Sequence, residues 1–415
     1  MKKQPQDTSF EQCMKCTVCT VYCPIVAVNP SFPGPKQAGP DGERYRLKNP
    51  LFYDEALDLC LNCKRCEVAC PSNVKIGDII QNARLEYGTH KPKLRDYVLA
   101  NTDMMGTMAT AMAPVVNFTL GLKPVKSLMD TFLAVDHRRT FPEYAGQRFE
   151  TWFRRNARKQ QETFHKKVSY FHGCYANYNH PKLAKDLVRI INAIGYGVNL
   201  LDKEKCCGVA LLSNGFKDKA LEQAKVNLES IRKAVGRGEP VLTTSSTCTF
   251  TMRDEYRHIL GLDNDDVRDN IILATRFIYE MVSSGEVKLV FKDDYRKRIA
   301  YHTPCHMEKL GWAIYSTSLL RLIPGVDLLM LDSQCCGIAG TYGFKREHYN
   351  DSQKIGAPLF QQIRDSRIDM VATDCETCKW QIEMSTGAVV ENPISILADA
   401  LDVEATAKAN LGCPW

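Results

Sequence analysis

The sequence predicts a multidomain α+β protein, with a helical N-terminal domain followed by two copies of an α/β domain. Three observations support this. Two matching cysteine runs near the N-terminus lie among segments with no alternating strand pattern, which points to helices there. Beyond Lys167, short apolar runs alternate with amphipathic helical patterns, the order expected of layered α/β units. Cysteines in that part recur at offsets of 131 (Cys174 to Cys305), 129 (Cys206 to Cys335) and 130 (Cys248 to Cys378) residues. Three offsets agreeing this closely mean a duplicated unit. The expected divisions are 1–95, a connector over 96–166, a first repeat over 167–294 and a second over 295–415.

The two cysteine runs are Cys13, Cys16, Cys19, Cys23 with Pro24, and Cys60, Cys63, Cys66, Cys70 with Pro71. Three thiolates spaced two residues apart wrap one corner of an iron–sulfur cube. The fourth, ahead of a proline that turns the chain away, reaches the neighbouring cube. The expected ligand sets are therefore crossed: Cys13, Cys16, Cys19 and Cys70 on one [4Fe-4S] cluster, and Cys60, Cys63, Cys66 and Cys23 on the other. Zinc, which takes four ligands in two pairs, has no use for two such runs. A protein built this way carries electrons, and the N-terminal unit reads as a ferredoxin domain.

The 415 residues are long for one domain, and 44% hydrophobic with 25% charged residues is enough to build buried cores. A net charge of +6 with no basic run interleaved with aromatics argues against nucleic acid. Met1–Asp7 has no apolar stretch behind its lysines, so no signal peptide is expected. Cluster-type cysteine spacing then implies a reducing cytoplasm rather than a disulfide scaffold.

In chain order, residues 29–42 are too rich in proline and glycine for regular structure, whereas 53–59 and 76–87 read as helices. From Met104 to Leu122 there are 19 residues without a charge. That length would span a membrane, but Pro114, Gly106, Gly121 and several threonines favour a connector or an interfacial segment. Residues 138–167 hold nine Lys/Arg, among them Arg154, Arg155, Arg158 and Lys159, against three Glu. Such a stretch is either a solvated face or a contact for anionic lipid.

The first repeat reads as a strand at 168–171, a helix through Leu183, Leu187, Ile190 and Ile194, a strand at 198–201, a helix from Ala220 to Val235 and a strand at Val241. Its thiols Cys174, Cys206, Cys207 and Cys248 fall in the loops. The second runs in the same order: Tyr301, a helix from Trp312 to Leu322, a strand at 326–331, a helix around Leu359 to Ile363 and a strand at Met370. It offers Cys305, Cys335, Cys336, Cys375 and Cys378. Adjacent cysteines cannot readily both reach one small ion, but they can bridge different irons of a larger cluster. Gly337, Gly340 and Gly343 let the backbone approach and offer N–H donors to sulfide.

In the first repeat Ser245 stands where the second has Cys375, so its site must be simpler: an ordinary cluster, zinc, or nothing. His172, His302 and His306 flank the cysteines and read as hydrogen-bonded structural residues before ligands or proton carriers. Cys413 reads as a spare tail thiol. No glycine-rich nucleotide-binding turn is present, so no flavin or nicotinamide is expected and electrons must enter from another protein.

The paired runs followed by two cysteine-rich CCG domains resemble the iron–sulfur subunits of glycolate oxidase, lactate-utilisation and heterodisulfide reductase systems. Residues 34–44, 60–71, 301–309, 332–344 and 373–380 resemble more closely the C-subunit family of bacterial anaerobic glycerol-3-phosphate dehydrogenases. That resemblance implies a non-catalytic electron-transfer subunit. It would receive electrons from flavin-containing dehydrogenase subunits A and B and pass them to membrane menaquinone during anaerobic respiration. Its implied place is the cytoplasmic side of the inner membrane, peripherally attached. The five cysteines of the second repeat match the pattern that holds an open, non-cubane [4Fe-4S] cluster in heterodisulfide reductases; Ser245 departs from that pattern. The alternative is an iron–sulfur subunit whose second cluster itself reduces a disulfide or quinone. A third reading makes the repeats a zinc-bearing docking scaffold.

Overall fold

The computed structural model describes residues 8–88 and 91–411. Residues 1–7, on which the expectation about export rests, and Cys413 lie outside the described residues. The fold is a helical N-terminal unit followed by two parallel sheets in a mixed α/β arrangement.

The N-terminal unit is helical, as its lack of alternation predicts. Helix Ile76–Tyr87 lays Ile76, Ile79, Ile80 and Ala83 into a core with Phe10, Ile25, Phe32, Leu57 and Val74. The second helical signal is a tight 3-10 segment, Glu55–Leu59, capped by Asp54, which accepts from Ala56 N at 2.9 Å. The proline- and glycine-rich stretch departs from expectation, because Gln37–Asp41 forms a wide helical turn that continues into helix Gly42–Lys48. Tertiary packing overrides local propensity here. Pro40 is buried in the turn, and a side chain on Gly39 would meet Ile76 Cγ2 at 2.9 Å.

The uncharged stretch breaks into Thr102–Ala111 and Ala113–Gly121, followed by Lys123–Leu133. Pro114 has no N–H to continue the first helix and suits the opening turn of the next. Among the described residues no helix is long and apolar enough to cross a membrane. The basic stretch behind it is not one surface. Arg139 is fully buried and Arg148 lies over the Tyr178 ring, while Arg154, Arg155, Arg158 and Lys159 are exposed.

The first sheet holds β1 (Lys166–Phe171), β2 (Tyr196–Leu200), β3 (Val241–Thr243) and β4 (Ile271–Leu273), all parallel, in the order β2-β1-β3-β4. The second holds β5 (Lys297–Tyr301), β6 (Val326–Met330), β7 (Met370–Ala372) and β8 (Val390–Glu391) in the matching order β6-β5-β7-β8. The sequence pattern did not reveal β4 and β8, which are too short to show alternation. Each leads into a helix that crosses to the other repeat: Ala274–Ser283 packs on Ala313–Arg321, and Pro393–Ala400 packs on Pro181–Ala193. The repeats thus share one apolar core through Leu187, Ile190, Ile278, Leu319, Leu320 and Leu397. Burying each such side chain contributes about 1.5–3 kcal/mol.

Candidate metal centres

The two N-terminal cysteine runs fold alike. Lys15 and Thr17 in the first, and Asn62 and Lys64 in the second, all take left-handed φ values of 52° to 63°. Four non-glycine residues strained at matching positions turn the backbone around the sulfurs, and backbone N–H groups arranged this way make anion-binding concavities. One cavity is lined by Cys23, Cys60, Cys63 and Cys66; another is lined by Cys13, Cys16, Cys19 and Cys70. The fourth cysteine of each run therefore faces the three thiols of the other.

Burial, then repulsion from Cys63, pushes the Cys23 thiol up to about 12, and burial likewise pushes Cys66 well up. Polypeptide alone does not favour thiolates here. Iron supplies the positive charge that would, so an iron–sulfur group fits both cavities.

In the second repeat the ends of three parallel strands bring the sulfurs together. After β5, Cys305 opens helix Cys305–Leu310; after β6 come Cys335 and Cys336; after β7, Cys375 caps helix Glu376–Thr386, with Cys378 in its first turn. Parallel sheets place ligands at the carboxyl ends of their strands. Cys336 and Cys378 Sγ are 3.3 Å apart, and Gly337 N donates to Cys335 Sγ at 3.4 Å. Cys375 is pulled down to about 5, first by a hydrogen bond from the Cys378 thiol and, against burial, by Thr377 and the Cys378 N–H. His302, 1% exposed, brings a ring nitrogen to within 4.8 Å of both Cys336 and Cys378 Sγ. Neither of its ring nitrogens has a partner among the described residues. The sulfur-rich donor set and the strand-end loops fit a cluster.

The glycines here serve packing as well as sulfur. A side chain on Gly337 would strike Ser352 O at 2.0 Å, and one on Gly343 would meet Arg139 Nη2 at 2.6 Å. Arg139, which sequence reasoning missed, reaches from the connector to donate to Gly343 O, Gln381 Oε1 and Ser352 Oγ, the last at 2.9 Å. It fixes the loop that carries Cys336.

The first repeat gathers Cys174, Cys206, Cys207 and Cys248 in the same way, each in sulfur contact with the next. Ser245 caps helix Ser246–Phe250, accepting from Cys248 N at 3.3 Å, and donates to Glu376 Oε2 at 2.9 Å. Asp103, also missed, accepts from Cys206 N at 2.8 Å, and burial, then Cys206, raises it to about 6. Its one sequence signal was a single acid at the edge of the uncharged stretch. Four thiols beside a carboxylate fit a small metal group.

Two further histidines already have partners. His172 Nδ1 lies 3.0 Å from Gly173 O and from Glu204 Oε1. His306 Nε2 lies 3.3 Å from Asn62 O, its ring stacked on Phe250.

The sites adjoin one another. The Cys63 thiol is in hydrogen-bonding contact with Cys305, and Cys335 belongs to the apolar cluster of the N-terminal unit. Arg65 clamps this contact by donating to Glu308 at 3.1 Å and to Ser333 Oγ and O at 3.0 Å each. On the far side, Thr247 Oγ1 of the first repeat lies 3.6 Å from Cys375 Sγ, and Ser246 N donates to Asp374 O at 2.8 Å.

The model of the 4Fe-4S dicluster domain matches residues 9–74, and that of the cysteine-rich CCG domain matches 168–253 and 299–383. The glycolate oxidase iron–sulfur subunit of Escherichia coli is 26% identical, over 96% of each chain. The B subunit of fumarate reductase (CoM/CoB) from Methanothermobacter marburgensis is 24% identical, over 92% of this chain and 69% of that one. The C subunit of anaerobic glycerol-3-phosphate dehydrogenase from Escherichia coli is 60% identical, over 95% of this chain and 99% of its own. With identity that high along both chains, this protein belongs to the family of anaerobic glycerol-3-phosphate dehydrogenase C subunits.

Proposed function

We propose that this chain is the electron-transfer subunit between a flavin-containing glycerol-3-phosphate dehydrogenase, its subunits A and B, and membrane menaquinone. Cys13, Cys16, Cys19 and Cys70 would hold one [4Fe-4S] cluster, and Cys23, Cys60, Cys63 and Cys66 the other. Cys305, Cys335, Cys336, Cys375 and Cys378 would hold a further, non-cubane [4Fe-4S] cluster. Cys174, Cys206, Cys207 and Cys248 would hold zinc or an ordinary cluster. When bound, such groups accept and release single electrons.

The observation that carries the reading is the contact of Cys63 with Cys305 under the Arg65 clamp, because it puts the second repeat's site directly against an N-terminal one. The polypeptide's part is to supply thiolates, bury them from water and hold neighbouring sites in contact.

The test is a mixture of this chain with its dehydrogenase partners. Glycerol 3-phosphate should bleach the iron–sulfur absorption, and a menaquinone analogue should restore it. The chain alone should neither bind flavin nor respond to glycerol 3-phosphate; substrate-dependent dye reduction by it alone would sink the reading. Disulfide reduction by the separately reduced chain, with no partner needed, would favour the enzyme alternative.

Attachment to the cytoplasmic face of the inner membrane is peripheral in this proposal. Exposed Met104, Met108, Met112, Val115 and Phe118 support it, with exposed Arg154, Arg155, Arg158 and Lys159 behind them in the chain. Exposed charge is screened beyond about 10 Å at 0.1 M salt, so high salt should release the chain from membranes. Release by detergent alone would mean deep insertion, and failure to sediment with membranes would make this segment a connector.

A further inference from the structure

We propose that His302 is a nitrogen ligand of the metal group in the second repeat, sharing one metal ion with Cys336 and Cys378. The inference rests on the reading above that this repeat holds an iron–sulfur group.

His302 follows β5 directly, and its N–H donates to Ala372 O at 3.0 Å, so the sheet fixes where its side chain starts. The ring is buried beside Cys336 and Cys378, with a nitrogen within 4.8 Å of both sulfurs. Metal bonds of about 2.0–2.3 Å would need only a small contraction to join all three. A buried polar group left without a partner destabilises the fold, and both ring nitrogens lack one among the described residues. Coordination removes that cost at one nitrogen.

The first repeat shows what a merely structural histidine looks like at this position. His172 stands 130 residues before His302, matching the cysteine offsets. It is partnered by Gly173 O and Glu204, two residues before Cys206. The residue two before Cys335 is Ser333, which has no carboxylate and is taken by Arg65. The second repeat thus lacks that partner among the described residues and has a fifth thiol, Cys375, where the first has Ser245. A neutral imidazole adds a donor beside the five thiolates without adding negative charge.

The test is pulsed electron paramagnetic resonance on the full chain, prepared anaerobically with and without histidine labelled with the heavy nitrogen isotope. A directly bound histidine nitrogen should couple strongly to the second-repeat signal in the parent and in His306→Gln, and the coupling should vanish in His302→Gln. Absence of such coupling in the labelled parent, or its survival in His302→Gln, overturns the proposal; the parent measurement decides even if the variant fails to fold. Iron analysis of Cys336→Ser separates the two layers of argument. If that variant loses no iron, the second repeat holds no cluster and both readings fall. If it loses iron while the parent shows no histidine coupling, only the ligand assignment falls.

Discussion

The two repeats share a strand order, a cysteine framework and a histidine at the same position, yet they surround their sulfurs differently. In the first, Ser245 caps a helix, His172 is held by Glu204, and Asp103 closes over Cys206. In the second, the corresponding places carry Cys375, a His302 whose ring has no partner among the described residues, and Ser333 turned toward Arg65. Duplication kept the scaffold that gathers thiols at strand ends. Divergence changed how many donors remain free to bind metal. In one copy the histidine and the serine are held by protein partners; in the other, His302 has no ring partner among the described residues and Cys305 lies against Cys63.

The sharpest way to break this contrast is to remove one adjacent cysteine from each repeat. Cys336→Ser should remove iron from the second site and abolish quinone reduction, with the N-terminal clusters still reducible through the partner subunits. Cys207→Ser should act chiefly on folding or assembly. Iron, zinc and sulfide content of both variants beside the parent checks this; equal iron loss from both would make the repeats equivalent.

The second repeat also depends on the connector for its loop. Arg139→Leu leaves Gly343 O and Gln381 Oε1 without their buried donor and Ser352 Oγ with only Gln381 Nε2. At about 1–3 kcal/mol for a buried group left unpaired, the expected loss is roughly 3 kcal/mol. Thermal unfolding with hydrogen exchange should place it in the second repeat, and a uniform loss across both would contradict the contrast.

These positions show how far the sequence could be read. Metal chemistry dictates cysteine spacing along the chain, so Cys13 to Cys70 and the repeat thiols stand out without a structure. Helix Ile76–Tyr87 announced itself through its apolar face. Strands β4 and β8 did not, because a strand of two or three residues exists only through its neighbours. Arg139 and Asp103 act on loops far along the chain, and no local pattern marks such a partner. His302 was visible as a histidine near cysteines, like His172 and His306. Only the fold shows that the other two have partners.

Acid should weaken the second repeat through His348. Burial lowers His348 to about 4, so the fold holds its ring neutral, stacked on Tyr342. In the unfolded chain a histidine gains its proton near 6.5, so stability is fully present above that value and is lost as pH falls from about 6.5 to 4. At pH 5 the loss should be about 2 kcal/mol, absent in His348→Gln. The corresponding stretch of the first repeat, residues 214–217, has no histidine. Denaturant melts at pH 7 and pH 5 measure the difference; a parent no less stable at pH 5 than His348→Gln would remove it.

The smallest effect tests whether Ser245 is a cap or a degenerate ligand. Its oxygen accepts from Cys248 N at 3.3 Å and donates to Glu376 at 2.9 Å, so its proton and one of its two lone pairs are already used by protein. Removing a serine cap typically costs about 1 kcal/mol. Ser245→Ala should therefore cost about that much and leave the metal content of the first repeat unchanged, whereas Cys375→Ala at the matching cap of the second should lose iron. Both variants keep a residue able to adopt the extended backbone of a cap, so backbone strain does not confuse the reading. Metal loss from Ser245→Ala would make the serine a ligand after all, and the contrast between the repeats would then rest on Asp103, Glu204 and His302 alone.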